Sequence, residues 1–126
     1  MSTKSSASDQ QVRELFKRFA TAFVAGDGPG LTSCLTENFE WCLPTGVRYK
    51  GRNAAIEVMV ARAKQAGGPK FANSRIEVFG DTIVQRYNVT VTGADGKAVE
   101  LEGLDVYKIE DGALATKDAY WKQLGG

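Results

Sequence analysis

The spacing of hydrophobic residues divides this chain into a largely helical first half and a second half of strands. The first predicted helix carries an apolar stripe at three- and four-residue spacing, formed by Val12, Leu15, Phe16, Phe19 and Phe23. Ser8-Asp9-Gln10-Gln11 has the pattern of a capping box and is expected to begin this helix, whereas Gly26 is expected to end it. Pro29 suits the first turn of a short second helix through Leu31 to Leu35.

A short hairpin and a third helix are predicted next. Phe39 to Leu43 alternates as a strand, with an apolar side and a side that carries Glu40. Val47 to Lys50 can pair with it. A helix is predicted from about Asn53 to Ala66, ended by Gly67-Gly68-Pro69. Its expected buried stripe is Ile56, Met59, Val60 and Ala63.

The second half predicts a four-stranded antiparallel meander. Turn sequences at Gly80-Asp81, Asp95-Gly96 and Asp111-Gly112 separate the alternating segments Ser74–Phe79, Thr82–Thr92, Val99–Ile109 and Ala113–Gln123. Helices grouped early and antiparallel strands grouped late indicate an α+β domain whose sheet covers the helices on one face. We predict a flexible N-terminus over residues 1–8 and a single domain over residues 9–126.

One acid interrupts the apolar face of the third of these strands. That face is formed by Val99, Leu101, Tyr107 and Ile109, and Asp105 falls in the same register. A carboxylate in such a position needs hydrogen bonds or a charged partner, and shifted acids on concave sheet faces often do chemistry. Asp105 is therefore the main catalytic candidate. The competing interpretation is a structural core acid that is satisfied by Lys117, Tyr87 or Gln85.

The register of the last strand decides which residue of that strand faces Asp105. A two-residue turn at Asp111-Gly112 pairs Asp105 with Asp118. A turn that also includes Ala113 instead turns Lys117 inward, together with Ala115, Ala119 and Trp121. The second register is chemically easier, because Lys117 then approaches Asp105 without two carboxylates opposing each other in an apolar space. A snorkelling Lys117 at the sheet edge is the alternative to a catalytic amine.

Composition removes many kinds of chemistry. The 126 residues are 43% hydrophobic and 25% charged, which suits one ordinary soluble domain. The chain has no histidine, so it lacks an imidazole base and the commonest metal ligand. Cys34 and Cys42 are too few and too widely spaced for a zinc site and are expected to be small buried residues. Without a phosphate-binding loop or dinucleotide fingerprint, we expect no metal and no cofactor.

The charge pattern bears on partners and location. Sixteen basic and fifteen acidic residues are interspersed, so we expect neither nucleic acid nor a membrane as a partner. No apolar run approaches the roughly 20 residues of a membrane helix. The first eight residues do not resemble a signal peptide, so we expect a cytoplasmic protein. On the outward face of the sheet, Val84, Leu104 and Val106 form a modest apolar patch that suits a homodimer.

Three segments together resemble a known superfamily. They are Phe23-Val-Ala-Gly-Asp27, Tyr49-Lys-Gly-Arg52 and Gly103-Leu-Asp-Val-Tyr-Lys-Ile-Glu-Asp-Gly112. Over about residues 9 to 124 the chain resembles the nuclear transport factor 2-like superfamily, particularly its SnoaL-like and ketosteroid isomerase-like branches. The resemblance implies a cystatin-like cone, in which a curved antiparallel sheet wraps around three N-terminal helices and encloses an apolar pocket. It also implies a homodimer.

The resemblance implies a site around Asp105. By position Asp105 is similar to the second aspartate of ketosteroid isomerases, a protonated donor to the developing oxyanion. Phe19 stands where those isomerases have a helix-one tyrosine, and Cys42 stands where they have the base. Glu40 shares the predicted face of Cys42 and is the candidate replacement, on the condition that the short strand turns that face into the pocket. In SnoaL-like cyclases an aspartate is the general acid/base, and Asp105 would correspond to it. Limonene epoxide hydrolases are less similar, because Tyr120-Trp121-Lys122 replaces their closing Tyr-Phe-Asp.

Two functions of different classes are therefore predicted. The first is cofactor-free acid/base chemistry on a small hydrophobic carbonyl, enol or epoxide substrate, with Asp105, Glu40 and Lys117 as catalytic candidates. The side chains expected to contact that substrate are Phe19, Trp41, Tyr49, Met59, Gln85, Tyr87, Tyr107 and Trp121. The second is a non-catalytic module that binds a hydrophobic small molecule or forms an assembly through its sheet.

Overall fold

Three helices and a six-stranded sheet make up the computed structural model, which describes residues 8–65 and 67–123. The elements are α1 (Asp9–Ala25), α2 (Gly28–Cys34), β1 (Leu35–Cys42), β2 (Arg48–Lys50), α3 (Arg52–Ala63), β3 (Lys70–Phe79), β4 (Thr82–Thr92), β5 (Ala98–Glu110) and β6 (Ala113–Gln123). The predicted α+β class, with a curved sheet around N-terminal helices, is confirmed. The predicted flexible N-terminus falls on residues 1–8, of which 1–7 lie outside the described residues.

Local capping sets the helix ends. The Ser8 hydroxyl accepts from the Gln11 amide at 3.1 Å, and the Ser8 amide donates to the Gln11 side chain at 2.9 Å, so the predicted capping box is confirmed. Gly26 ends α1 in the left-handed conformation, as predicted. The prediction that α3 runs to Ala66 was wrong, because this helix ends at Ala63. Ala63 is exposed, so its predicted burial was also wrong. Residues 61–65 are all exposed, and no packed face extends the helix.

The sheet has the strand order β2-β1-β6-β5-β4-β3. The run from β3 to β6 is the predicted antiparallel meander. Strand β1 lies parallel to β6 and begins at Leu35, earlier than the predicted Phe39, because Leu35 already pairs with Leu114. Strand β3 begins at Lys70 rather than Ser74 and is irregular after Ala72. These extensions depend on partner strands that the local pattern does not contain.

The register between β5 and β6 combines the two predicted alternatives. The turn has two residues, because Glu110 pairs with Ala113. A β-bulge then shifts the register by one residue, and Tyr107 pairs with Lys117. As a result Asp105 pairs with Ala119, which is the register of the favoured alternative with Lys117 turned inward. The other alternative, which paired Asp105 with Asp118, is not observed. The bulge allows the tight turn and the inward Lys117 to occur together.

The hydrophobic core lies between the helices and one face of the sheet, here called the inner face. The predicted stripe of α1 is confirmed from Val12 to Phe19, and Phe23 is half-buried. Helix α3 contributes Ala55 and Met59, and the strands contribute Phe39, Trp41, Ile83, Tyr107, Ile109 and Leu114. On the opposite face, here called the outer face, Val84, Leu104 and Val106 are half-buried. No helix in the described part of the chain is long and apolar enough to cross a membrane.

Candidate functional site

Asp105 lies in the middle of β5 on the inner face and is only 2% exposed. Its Oδ1 accepts a hydrogen bond from the Tyr87 hydroxyl at 2.7 Å, and its Oδ2 accepts one from the Lys117 ammonium. Both carboxylate oxygens therefore have partners, which offsets the cost of removing the charge from water. The predicted inward orientation of Asp105 and its approach by Lys117 and Tyr87 match this arrangement.

Lys117 is buried as well, and its ammonium does not snorkel to solvent. Besides Asp105, it donates to the Tyr107 hydroxyl at 3.1 Å. Its Nζ also lies 5.5 Å from the ring centroid of Phe23 and 5.1 Å from that of Tyr107. Such distances are typical of cation–π contacts. The ammonium is therefore enclosed by one carboxylate, one hydroxyl and two aromatic rings.

A chain of hydrogen bonds extends from this ion pair in two directions. On one side the Tyr107 hydroxyl donates to Gln85 at 2.8 Å, and the Gln85 amide donates to Ser74 at 3.0 Å. On the other side the Trp121 indole donates to the Tyr87 hydroxyl at 2.7 Å. Because Tyr87 and Lys117 both donate to Asp105, the two sides of the chain meet at the carboxylate.

Gly103 allows Tyr87 to reach Asp105. It pairs with Tyr87 on one side and Trp121 on the other. A Cβ atom at this position would lie 2.2 Å from the Tyr87 ring, so the ring lies across the space where other residues have a side chain. Gly103 was not among the predicted site residues, although an isolated glycine within a strand is a signal of close approach.

Burial and nearby charge keep the two tyrosines of the hydrogen-bond chain, Tyr87 and Tyr107, neutral. Desolvation is the largest cause that raises the pKa of Tyr87, followed by the negative charge of Asp105. The same two causes raise the pKa of Tyr107 well above its ordinary value. Both hydroxyls therefore stay protonated and able to donate over a wide pH range.

The raised pKa values of Tyr87 and Tyr107 predict that the folded protein loses stability at alkaline pH. In the unfolded chain a tyrosine ionises near pH 10, whereas folded Tyr87 and Tyr107 keep their protons to higher pH. The unfolded state therefore loses protons first, and the free energy of unfolding should fall above about pH 10 by about 1.4 kcal/mol per pH unit for each tyrosine. Urea unfolding at a series of alkaline pH values measures this slope. A Tyr87→Phe variant should show a smaller slope, and an unchanged slope would contradict the assignment.

An aromatic group lies beside Lys117 on the inner face. The ring centroids of Phe23 and Trp41 are 6.1 Å apart, and those of Trp41 and Tyr49 are 5.7 Å apart. Phe19 meets Tyr107 edge-on at 5.8 Å. Of the predicted substrate contacts, Phe19, Trp41, Met59 and Tyr107 belong to the core, Tyr49 packs against it, and Gln85, Tyr87 and Trp121 belong to the hydrogen-bond chain. Phe23 was not among the predicted site residues.

Glu40 lies on the other side of the sheet from Asp105. Strand alternation turns Trp41 to the inner face and therefore turns Glu40 to the outer face, where its carboxylate lies 3.4 Å from Arg48. There it lines an open depression with Asn38, Lys50 and Gly51. The condition for Glu40 to act as the base, a strand turned with that face towards the site, is not met. Residues 8–65 and 67–123 also contain no group of three or more His, Cys, Asp or Glu able to hold a metal ion.

Comparison with known proteins identifies the fold. A family model described as a SnoaL-like domain matches residues 16–116. A nuclear transport factor 2-like protein of unknown function from Mesorhizobium loti is 26% identical, with a TM-score of 0.74 over 94% of this chain and 96% of that chain. No curated protein matches the chain in sequence.

Two more distant structures share the fold. A protein from Kribbella flavida that is named as a ketosteroid isomerase is 19% identical, with a TM-score of 0.72 over 93% of this chain and 82% of that chain. A protein from Jannaschia that is named as a SnoaL-like polyketide cyclase is 15% identical, with a TM-score of 0.72 over 95% of this chain and 91% of that chain. The resemblance predicted from the sequence is confirmed.

Proposed function

This chain belongs to the SnoaL-like domain family, and we propose that it performs acid/base chemistry without a cofactor on a small hydrophobic substrate. Asp105 is the proton donor and acceptor. The observation that carries the proposal is the buried Asp105 carboxylate, which accepts hydrogen bonds from Lys117 and Tyr87 within an otherwise apolar interior. The structural neighbours named as a ketosteroid isomerase and a polyketide cyclase support chemistry of this class.

The hydrogen bonds to Asp105 leave it able to take a proton. A carboxylate has about four acceptor sites on its two oxygens, and the protein fills one on each oxygen. The rings of Phe23 and Tyr107, which lie beside the Lys117 ammonium that contacts Asp105, favour an apolar substrate over water. A carboxylate in such surroundings can move a proton between two positions of a bound carbonyl compound.

Exchange of carbon-bound hydrogen for deuterium tests this proposal without a known product. The protein is incubated in heavy water with a panel of small ketones and enones, and proton NMR follows the loss of the hydrogen next to the carbonyl. Asp105→Asn should reduce the exchange rate by about 100-fold or more, because it removes the base. Circular dichroism should show a folded variant.

Asp118→Asn is the matched control for this experiment. Asp118 lies on the outer side of β6 and accepts a hydrogen bond from Tyr120 at 2.7 Å, away from Asp105. Its replacement should leave the exchange rate unchanged. Equal exchange by the wild type and Asp105→Asn would remove Asp105 from the mechanism.

A second candidate function is binding of a hydrophobic small molecule without turnover. The observation that favours it is that both oxygens of Asp105 already have partners within the protein, as in a structural ion pair. This function predicts that ligands change the fluorescence of Trp41 or Trp121 while no compound in the panel exchanges its hydrogens. Exchange that depends on Asp105 would exclude it.

We also propose a homodimer that forms through the outer face of the sheet. An apolar patch lies there among polar residues and is formed by the half-buried side chains of Val84, Leu104 and Val106.

We propose in addition that the protein is cytoplasmic and that neither nucleic acid nor a membrane is its partner.

Light scattering after size exclusion should give the mass of a dimer that dissociates on dilution. Val106→Glu should shift the equilibrium towards the monomer, because it places a charge in the patch. Val24→Glu is the control, since Val24 is 79% exposed on α1, away from the sheet. A wild-type protein that is monomeric at every concentration would contradict the proposal.

A further inference from the structure

We propose that Lys117 is a catalytic residue that holds the oxyanion formed from the substrate, and that the substrate is an uncharged carbonyl compound. The carbon next to its carbonyl group carries a hydrogen. The inference rests on the proposed role of Asp105 and deepens it, because it assigns the substrate class and the group that receives the developing charge.

The first observation is the number of donors on Lys117. An ammonium group has three N–H donors. Two of them have acceptors, the Asp105 carboxylate and the Tyr107 hydroxyl. Among the residues that the structure describes, no hydrogen-bond acceptor meets the third, which is left with the ring faces of Phe23 and Tyr107. A carbonyl oxygen is a stronger acceptor than a ring face, so it can replace the Phe23 contact.

The tyrosine and indole donors nearest to the ion pair already have acceptors. The Tyr87 hydroxyl donates to Asp105, the Tyr107 hydroxyl donates to Gln85, and the Trp121 indole donates to Tyr87. Among Lys117, the two tyrosines and Trp121, the ammonium of Lys117 therefore supplies the donor for a substrate oxygen. Phe23 contacts the ammonium and is half-buried, whereas Lys117 is buried, so we expect a substrate to reach Lys117 from the side of Phe23.

The second observation is that Asp105 and Lys117 form an isolated pair of opposite charges in the interior. When Asp105 takes the proton from the carbon, the C–H electron pair forms a carbon–carbon double bond. The carbonyl π pair then moves to the oxygen as an enolate. The negative charge passes from Asp105 to that oxygen, which the same ammonium contacts. Return of the proton from Asp105 to carbon restores the carbonyl group and the carboxylate.

This movement of charge selects the substrate. Lys117 has one negative partner before, during and after the step, so the buried cation is never unpaired. An uncharged carbonyl compound keeps that balance. A substrate that is already anionic would place two negative charges beside one ammonium in an apolar space, which is unfavourable. We therefore expect ketones and enones to bind, and carboxylates of the same shape to be rejected.

The exchange assay in heavy water tests this role in the full chain. Lys117→Met should slow hydrogen exchange by at least about 100-fold, the loss that follows removal of one oxyanion donor. Lys108→Met is the control, because Lys108 is exposed on β5 and donates to Thr82 at 3.0 Å. It should exchange at the wild-type rate. If a folded Lys117→Met variant exchanged hydrogen at the wild-type rate, the inference would be overturned, while the proposed role of Asp105 would remain in place.

A binding measurement decides the role of Lys117 if Lys117→Met does not fold or if no compound exchanges. The probe is a nitrophenol, whose phenolate absorbs visible light and mimics an enolate. In Asp105→Asn the ammonium lacks its counter-charge, so it should bind the phenolate and shift the ionisation of the phenol to lower pH. In Asp105→Asn/Lys117→Met that shift should disappear. An equal absorbance change in both variants would overturn the inference, whereas absent exchange by the wild type would count only against the proposed function.

Discussion

Replacing Lys117 with methionine is expected to lower the free energy of unfolding by about 3–5 kcal/mol, the largest effect on stability that we predict. Methionine has a similar length and suits the aromatic surroundings, but it leaves the buried Asp105 carboxylate without a cation. An uncompensated buried charge costs more than the ion pair contributes, because the carboxylate has lost its water and keeps only the hydrogen bond from Tyr87 in return. Urea unfolding at neutral pH measures the change.

A double-mutant cycle separates this effect from packing. Asp105→Asn/Lys117→Met removes both charges, so it should be more stable than Lys117→Met alone. Lys108→Met, on the exposed side of β5, should change stability by less than about 0.5 kcal/mol. If Lys117→Met and Lys108→Met were equally stable, the ammonium would not compensate Asp105 in the folded protein.

The second large effect is expected from Gly103→Ala. The added Cβ would lie 2.2 Å from the Tyr87 ring, closer than any real contact, so the ring must leave its position. Overpacking of this kind typically costs about 1–3 kcal/mol. Displacement of Tyr87 also removes its hydrogen bond to Asp105, so the proposed function predicts that the rate of hydrogen exchange in the ketone assay falls by about tenfold or more.

Two further variants identify the cause of this loss. Gly68→Ala is the control, because a Cβ atom at Gly68 meets no atom within 4 Å. It should leave stability and exchange unchanged. Combining Gly103→Ala with Tyr87→Leu should restore part of the stability, since the smaller side chain leaves room for the Cβ, but it should not restore exchange. Wild-type stability of Gly103→Ala would mean that the Tyr87 ring has room to move at no cost.

These expected results share one physical basis, which is the low polarity around the ion pair. Asp105 and Lys117 are each less than a tenth exposed, and the neighbouring groups are aromatic rings or hydroxyls with fixed partners. Charges interact more strongly there than at the surface, where water and salt screen them. The exposed pair of Arg13 and Asp9, at 2.6 Å, is shorter than many ion pairs yet contributes little for that reason.

Much of the fold follows from local chemistry. The capping box at Ser8, the glycine stop at Gly26 and the apolar stripe of α1 are short-range signals, and each was predicted correctly. Period-two alternation likewise predicted that Asp105 faces the core, because successive side chains of a strand point to opposite faces. The same rule places Glu40 opposite Trp41, which already separates it from the inner face.

Which side chains meet at the site depended on contacts between residues that are far apart in the sequence. Lys117 reaches Asp105 because a bulge in β6 follows a two-residue turn, and neither predicted register contained that combination. Gly103 matters only because Tyr87 comes to lie across it from the neighbouring strand. The early start of β1 depends on a parallel partner that is almost eighty residues away in the chain.

The sequence by itself therefore determined the helices, the meander and the side of the sheet on which Asp105 lies. These features depend on the spacing of side chains within one segment, which is the same whatever the segment later packs against. The tertiary structure alone decided which of the candidate partners contact Asp105 directly, namely Lys117 and Tyr87, whereas Gln85 bonds to Tyr107 instead. Register shifts and close approaches are set by the packing of strands against one another, where a change of one residue reverses the face of every side chain that follows.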